Sequence, residues 1–458
     1  MQSKLVRSST GIGPDKWSDF TLLLAPVLFV SFSVSIDERM NLIQLGMLAI
    51  SLVIYQFTAY HRSSRYIDKG LFVIALLFVF PWITGTSLGL FFTSRGQNGE
   101  VLAAIEPWGR LINIALLTWY ILSICSRTDD MSRIGLALSR TYMYGCIILL
   151  VFAIWQALEF YTSFPIPFPF DTRSYMHSQG GLDIDITNRI TGYAAEPSYI
   201  APFLVDGLIL SLFMIKRKMM RWAVVSIFFL VLTLTFSPSG YISILSVLVV
   251  WGWIKYKEKP LLLPGVIIIG MILASFIYSS DIIQYFLLRV GQYEDSGRFQ
   301  GVWEPVKFIL EEGSFGNLLF GFGTKAMQSF YELNYQGFEF STANNLFTDI
   351  LFETGLLGLG CYIALFLVLF KYSLEVSDDN ALPLYLVTNL LVSSLYRSDF
   401  ASLRFSALIC IIYCTYKGYR RRKQQIINSV SYNNNSGNNR TSDCPTIIKT
   451  NHEPVTYS

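Results

Sequence analysis

The chain alternates long apolar runs with short polar connections. A helix that crosses a membrane takes about 20 mostly apolar residues. Twelve runs reach or approach that length, at 19–36, 41–60, 70–92, 109–125, 141–160, 197–215, 222–237, 240–255, 261–280, 346–370, 381–396 and 399–416. The runs at 222–237 and 240–255 are short and joined by Ser237-Pro238-Ser239-Gly240, which predicts a tight turn and a hairpin. The pattern predicts an all-α integral membrane protein with about twelve transmembrane helices over residues 1–423. The first run ends at Ile36 without a small-residue cleavage pattern and reads as a membrane anchor. From Gln424 the chain turns rich in Asn and Ser and has little to bury, so 424–458 reads as a disordered cytoplasmic tail.

Two connections are long, at about 161–196 and 281–345. Connections longer than about 15 residues are usually functional or disordered, and these read as ordered. The segment from Trp303 to Gly313 predicts an amphipathic helix, with Pro305 near its start and Gly313 at its end. Lys and Arg in the connections set the orientation. With the N-terminus inside, twenty-one fall on the cytoplasmic side, including Lys216, Arg217, Lys218 and Arg221, against eleven outside. Both long connections then face away from the cytoplasm.

Composition supports this architecture. Only 15% of residues are charged and 52% are hydrophobic, whereas a soluble domain averages about 25% charged. Aromatics at 15% suit interfacial belts. A net charge of +3 gives no basis for a nucleic-acid partner. The six cysteines avoid the long external connections, so no disulfide framework is expected. Cys410 and Cys414 share a helix face but lack companion ligands and read as packing, with no metal site. No cytoplasmic connection holds a Gly-rich nucleotide loop, which argues against ATP-driven work.

Candidate chemistry gathers on the external side. The first long connection ends in Arg189-Ile190-Thr191-Gly192-Tyr193-Ala194-Ala195-Glu196-Pro197-Ser198, and Pro197 suits a first helical turn. That helix N-terminus faces outside, and such an end is a ready phosphate site, with Arg189 beside it. The same residues also fit a structural reading in which Glu196 caps the helix and Arg189 balances it. The second connection carries Arg289, Arg298 and Lys325. Arg298 follows a turn, and a fixed guanidinium clamps phosphate bidentately, as lysine cannot. The connection closes with Asn344-Asn345, natural N-caps for the next inward-running helix. Within the spans, Asp206 and Glu353 stand out, because a mid-span carboxylate costs about 2.5–3.5 kcal/mol on insertion scales and usually faces a cavity or a partner helix.

The segment Arg189…Gly192…Glu196-Pro197-Ser198, the topology, and the stretch from Ser296 to Gly358 together resemble the O-antigen polymerase and ligase superfamily, specifically a Wzy-type polymerase. In that stretch Arg298, Gly321-Phe322-Gly323, the Asn344-Asn345 turn and Glu353…Gly355…Gly358 carry the likeness. The resemblance implies a GT-C-like enzyme of the bacterial inner membrane with its site facing the periplasm. It implies metal-independent, cofactor-free inverting glycosyl transfer between undecaprenyl-diphosphate-linked glycans, in a lipid setting, with a chain-length regulator protein as a partner. Glu196, Arg298 and Arg189 then fall in catalytic roles, and Arg289, Asn344, Asn345, Asp206 and Lys325 in substrate binding. Ligases of the superfamily place a His-Asn pair where Asn344-Asn345 stands, and asparagine cannot take up a proton, so the sequence fits a polymerase better. The rivals are an O-antigen ligase and a lipid-linked oligosaccharide flippase or transporter. The transporter would carry more charge within its spans and would not need an external connection of roughly 65 residues.

Overall fold

The computed structural model describes residues 46–53, 66–89, 91, 105–126, 131–162, 164–169, 188–194, 196–258, 297–328, 330 and 342–437; the side chains of 105–107, 257–258, 297–300 and 430–437 are not described. Among these residues every regular element is helical. In chain order they are α1 (Lys69–Thr84, continued by a π-helical turn over Gly85–Gly89), α2 (Ile105–Cys125), α3 (Met131–Thr162), α4 (Pro197–Met214), α5 (Lys218–Leu234), α6 (Pro238–Glu258), α7 (Gly297–Glu311), α8 (Phe315–Phe320), α9 (Leu346–Val376), α10 (Leu382–Ser394) and α11 (Leu403–Gly437).

Nine of the twelve expected spans coincide with these helices, and residues 46–53 of a tenth are helical. The spans at 19–36 and 261–280 lie outside the described residues. Six helices are long and apolar enough to cross a membrane by length and composition. The expected hairpin is present as α5 and α6, and its Pro238 opens α6. The chain is a multi-pass membrane protein.

The helices sort by what surrounds them. α4 buries fourteen of its eighteen residues and α10 buries eleven of thirteen, so both sit inside the bundle. α5 and α6 expose Phe229, Leu230, Leu245 and Val249. Apolar side chains on the outside of a bundle are what hydrocarbon requires. After α3 the chain folds back on the helix end: Phe168 N donates to Glu159 Oε2 at 2.9 Å, and the Phe168 ring meets Trp155 edge-on. That contact gives Phe168, between Pro167 and Pro169, a packing role.

α9 breaks at Gly355, which has φ 70° and ψ −169°. Only glycine enters that region without steric cost. The break strands two helix carbonyls. The Gly321-Phe322-Gly323 turn satisfies them: Phe322 N donates to Phe352 O at 2.9 Å and Gly323 N to Glu353 O at 3.1 Å. The two glycine motifs are therefore halves of one backbone joint that docks the long connection onto α9. Around it, Phe308, Phe322, Phe330 and Phe352 form an aromatic cluster with centroids 4.8 to 6.2 Å apart. A Cβ on Gly355 would sit 2.3 Å from the Leu319 backbone, whereas one on Gly360 meets nothing within 4 Å. Gly355→Ala is expected to lower the thermal midpoint sharply or block accumulation. Gly360→Ala is expected to be neutral or to gain up to about 1 kcal/mol. Equal midpoints for the two variants would refute the joint.

Two local expectations change. The amphipathic helix starts at Gly297, not near Pro305, and runs through that proline to Glu311. Val302, Val306 and Ile309 share one helical face across it, and Ile309 is buried. The last helix does not stop at Lys423, where a disordered tail is expected, but continues to Gly437. Arg, Lys and Gln are good helix formers, and Gln424 Nε2 bonds Asn428 Oδ1 one turn on at 3.0 Å.

Candidate functional site

At one end of the bundle lie the starts of α4, α9 and α11 and the ends of α3, α5 and α10. α10 has only thirteen residues. At 1.5 Å per residue it spans about 20 Å, against about 30 Å of hydrocarbon. It begins beside the exposed Asp378 and Asp379. The connection from Leu395 to Ser402 is therefore sunk below that end of the bundle. Asp399 and Phe400 within it are buried, and Phe400 stacks on Trp82 of α1 with centroids 4.3 Å apart. Non-helical backbone at membrane depth is tolerated where it is packed in protein or lines an aqueous cavity.

Arg397 is the centre of this connection. Its Nη1 donates to the Tyr199 carbonyl at 2.6 Å, and its guanidinium lies over the rings of Tyr199 and Phe203. Tyr199 in turn donates its hydroxyl to Asn344 Oδ1 at 3.2 Å. Asn345 Nδ2 donates to Leu395 O at 2.9 Å. Thus the first turn of α4, the turn before α9 and the sunken connection meet through four side chains.

The two helix N-termini differ in what they offer an anion. Asn345 caps α9 by accepting from Phe347 N and Thr348 N, as its type predicts. Its backbone donors are used. α4 has Glu196 at its N-cap and Pro197 at the first helical position, but no side-chain cap. The Glu196 carboxylate instead accepts from Ser198 Oγ at 3.3 Å. This end of α4 keeps its partial positive charge beside a carboxylate that does not cap it.

Beneath Arg397 lies an ion network. Arg404 Nε donates to Asp206 Oδ2 at 2.8 Å, and its Nη1 donates to Asp399 Oδ2 at 2.9 Å and to Ser393 Oγ at 3.0 Å. Tyr142 and Asn389 complete the Asp206 carboxylate at 2.8 and 2.7 Å. Arg404 and Asp206 are wholly buried. Asp399 links this network to Arg397, at 3.7 Å.

The residues singled out by sequence distribute unevenly. Glu196, Asn344 and Asn345 lie at the meeting point just described. Arg189 is buried beside the α5–α6 hairpin, where Nε and Nη2 each donate at 3.2 Å to the carbonyls of Thr235 and Phe236. It thereby satisfies the C-terminal end of α5. Asp206 lies at the base of the site and reaches it through Arg404 and Asp399. Lys325 has φ 69°, bonds Gln328 through Nζ, and its backbone bonds the Glu353 carboxylate. Glu353 is also held by Arg110 Nη1, at 2.7 and 2.6 Å, so this mid-span carboxylate ties α2 to α9 and the long connection. Arg298 starts α7, and its side chain is not described. Arg289 lies outside the described residues.

Sequence reasoning did not single out Arg397, Asp399 or Arg404. A signal was there: Arg404 falls inside the run 399–416, and an intramembrane cation calls for a carboxylate such as Asp206.

Residues 207–363 match the family model described as O-Antigen ligase. The matched segment runs from mid-α4 through the hairpin and the long connection into α9. It holds Arg298, Lys325, Asn344, Asn345 and the Gly355 joint, and the resemblance drawn from Ser296 to Gly358 is borne out over it. No curated protein matches the chain.

Proposed function

We propose that the chain is a member of the O-antigen polymerase and ligase superfamily, on the match over residues 207–363, and that within it the chain is a polymerase. It joins oligosaccharide repeat units carried on undecaprenyl diphosphate, at the periplasmic face of the inner membrane. The acceptor sugar hydroxyl attacks the anomeric carbon of the donor with inversion. The carbon–oxygen bond to the diphosphate breaks, and undecaprenyl diphosphate leaves with the electron pair. The hydroxyl proton passes to Glu196.

The observation that carries this reading is the meeting of the uncapped α4 N-terminus, the Asn344 turn and Arg397 at a sunken connection. Negative charge develops on a leaving diphosphate, and prearranged guanidinium groups offset it better than water does. Arg397 supplies one such group and Arg298 of the second long connection is assigned as another, while Arg189 acts through the α5–α6 hairpin whose carbonyls it holds. Asn344, with φ 52°, occupies left-handed backbone that asparagine tolerates. Neither it nor Asn345 can accept a proton, which favours the polymerase over a ligase built on a histidine there. The description of the matched family keeps the ligase as the second reading.

Removing the chain from its host separates the readings. A missing polymerase leaves single repeat units on the acceptor lipid, because flipping and ligation still operate. A missing ligase leaves long polymer stranded on undecaprenyl diphosphate, and a missing flippase leaves neither outside. Single units are the expected product, and either of the other two outcomes would overturn the polymerase.

A further inference from the structure

A second arginine stands on the sunken connection. Phe400 and Ala401, just beyond Arg397, lie against α2: Asn113 Nδ2 donates to Ala401 O at 3.0 Å, and the Arg110 guanidinium lies over the Phe400 ring, 5.4 Å from its centroid. The other contact of Arg110 is Glu353, whose two oxygens both accept from Nη1 and whose charge offsets its own. Among the described residues its Nε and Nη2 have no hydrogen-bond partner, and they are not enclosed. The side chain keeps 17% of its surface exposed, so that edge opens outward. Between the two arginines α9 presents Asp349. Its Oδ1 accepts from Ala343 N at 2.8 Å, and Ser398 and Arg110 are its electrostatic neighbours. Yet neither Asp349 Oδ2 nor Ser398 Oγ, both buried atoms, has a hydrogen-bond partner among the described residues. Buried polar atoms are otherwise nearly always paired.

We propose that Arg110 is a specificity-determining residue that binds the sugar part of the substrate, with Ser398 and Asp349 as the floor of the same subsite. This rests on the proposed reaction for the ligand being a lipid-linked glycan. A guanidinium already neutralised by a carboxylate offers fixed donors without net charge. That suits the hydroxyl and ring oxygens of a sugar, whereas Arg397 meets the charged leaving group. The chain from Arg397 to Phe400 reaches at most about 11 Å. A glycan whose diphosphate lies at Arg397 therefore has its first sugars over this stretch. Ser398 and Asp349 beneath it add acceptors for sugar hydroxyls.

The full chain in nanodiscs tests this with two probes. One is the lipid-linked repeat unit extracted from a host that lacks the chain, and the other is the same oligosaccharide released from its diphosphate. Arg110→Lys keeps a cation for the single-nitrogen contact with Glu353 but loses the open edge. Its thermal midpoint is expected to stay near the natural value. Its KM for the lipid-linked unit is expected to rise about tenfold at nearly unchanged kcat, the loss of one hydrogen bond to a charged group. Ser398→Ala removes an unpaired hydroxyl, so it is expected to keep the midpoint and raise KM several-fold; it decides the matter if Arg110→Lys does not accumulate. The free oligosaccharide is expected to raise the midpoint of the natural chain and of Arg397→Gln, but not that of Arg110→Lys. A purely structural Arg110 would leave KM unmoved in a variant that keeps its midpoint. Natural KM values in both variants, with polymer still made, overturn the subsite and leave the polymerase. No polymer from the natural chain, with an oligosaccharide response that Arg110→Lys abolishes, overturns the polymerase and leaves the subsite; without that response the subsite falls as well. A midpoint rise with inorganic pyrophosphate that Arg110→Lys abolishes assigns the open edge to the diphosphate and overturns the sugar.

Discussion

Arg404→Ala is expected to cost the folded protein about 3–5 kcal/mol, the loss typical when one partner of a buried ion pair is removed. The geometry makes this arginine the worse partner to lose. Among the described residues it alone joins two buried carboxylates, Asp206 and Asp399. Its removal leaves Asp206 with Tyr142 and Asn389 as its hydrogen-bond donors, deep among α3, α4, α10 and α11. Asp206→Ala leaves Arg404 with Asp399 and Ser393, so its midpoint is expected to fall less. In the Arg404→Ala background, adding Asp206→Ala removes an uncompensated charge, so the double variant is expected to regain part of the loss. Such coupling between contacting residues ordinarily amounts to 0.5–3 kcal/mol. Thermal midpoints of the purified single and double variants in one detergent measure it. A midpoint for Arg404→Ala within a degree of the natural chain would rule out the network as the bundle's central tie.

The spans were legible because hydrocarbon demands a continuous apolar stretch whatever its neighbours are. Lys and Arg in short connections carry the same kind of local information. Partnerships between distant segments are not local. A window over 381–416 registers two spans and a break at Arg397 and Ser398, yet the helices end at Ser394 and start again at Leu403. Hydropathy cannot distinguish a charge at the surface from one paired inside the bundle, so Arg404 within the run 399–416 does not stand out from sequence. Arg189 stands shortly before a helix N-terminus in the sequence, but its guanidinium turns to the carbonyls ending a different helix. The Gly-x-Gly and Glu-x-Gly-x-x-Gly spacings were visible as motifs. That each completes the other's hydrogen bonding follows only from the break at Gly355. Asn345 was read correctly because capping is decided within three residues of chain.

Arg397→Ala is expected to cut elongation roughly ten- to a hundredfold. A hydrogen bond to a charged group contributes about 1.5–3 kcal/mol, and each 1.36 kcal/mol in a barrier is tenfold in rate. Arg397→Lys is expected to rescue poorly, since it restores charge without the fork. Because Arg397 also holds the Tyr199 carbonyl, Arg397→Gln separates chemistry from structure. Glutamine keeps a donor for that carbonyl while losing the charge, so the midpoint is expected to stay near the natural value while elongation falls as far as in the alanine variant. Arg298→Ala is expected to reduce elongation in the same way. Arg189→Ala is expected to differ, because the carbonyls of Thr235 and Phe236 lose their donors and the α5–α6 hairpin loosens. It lowers both midpoint and elongation. Surface polysaccharide resolved by size reads the outcome directly: long ladders shrink to single repeat units while the variant protein still accumulates in the membrane. Full-length ladders from well-accumulated Arg397→Gln and Arg298→Ala chains would remove both arginines from the reaction, and with them the proposed place for the leaving diphosphate.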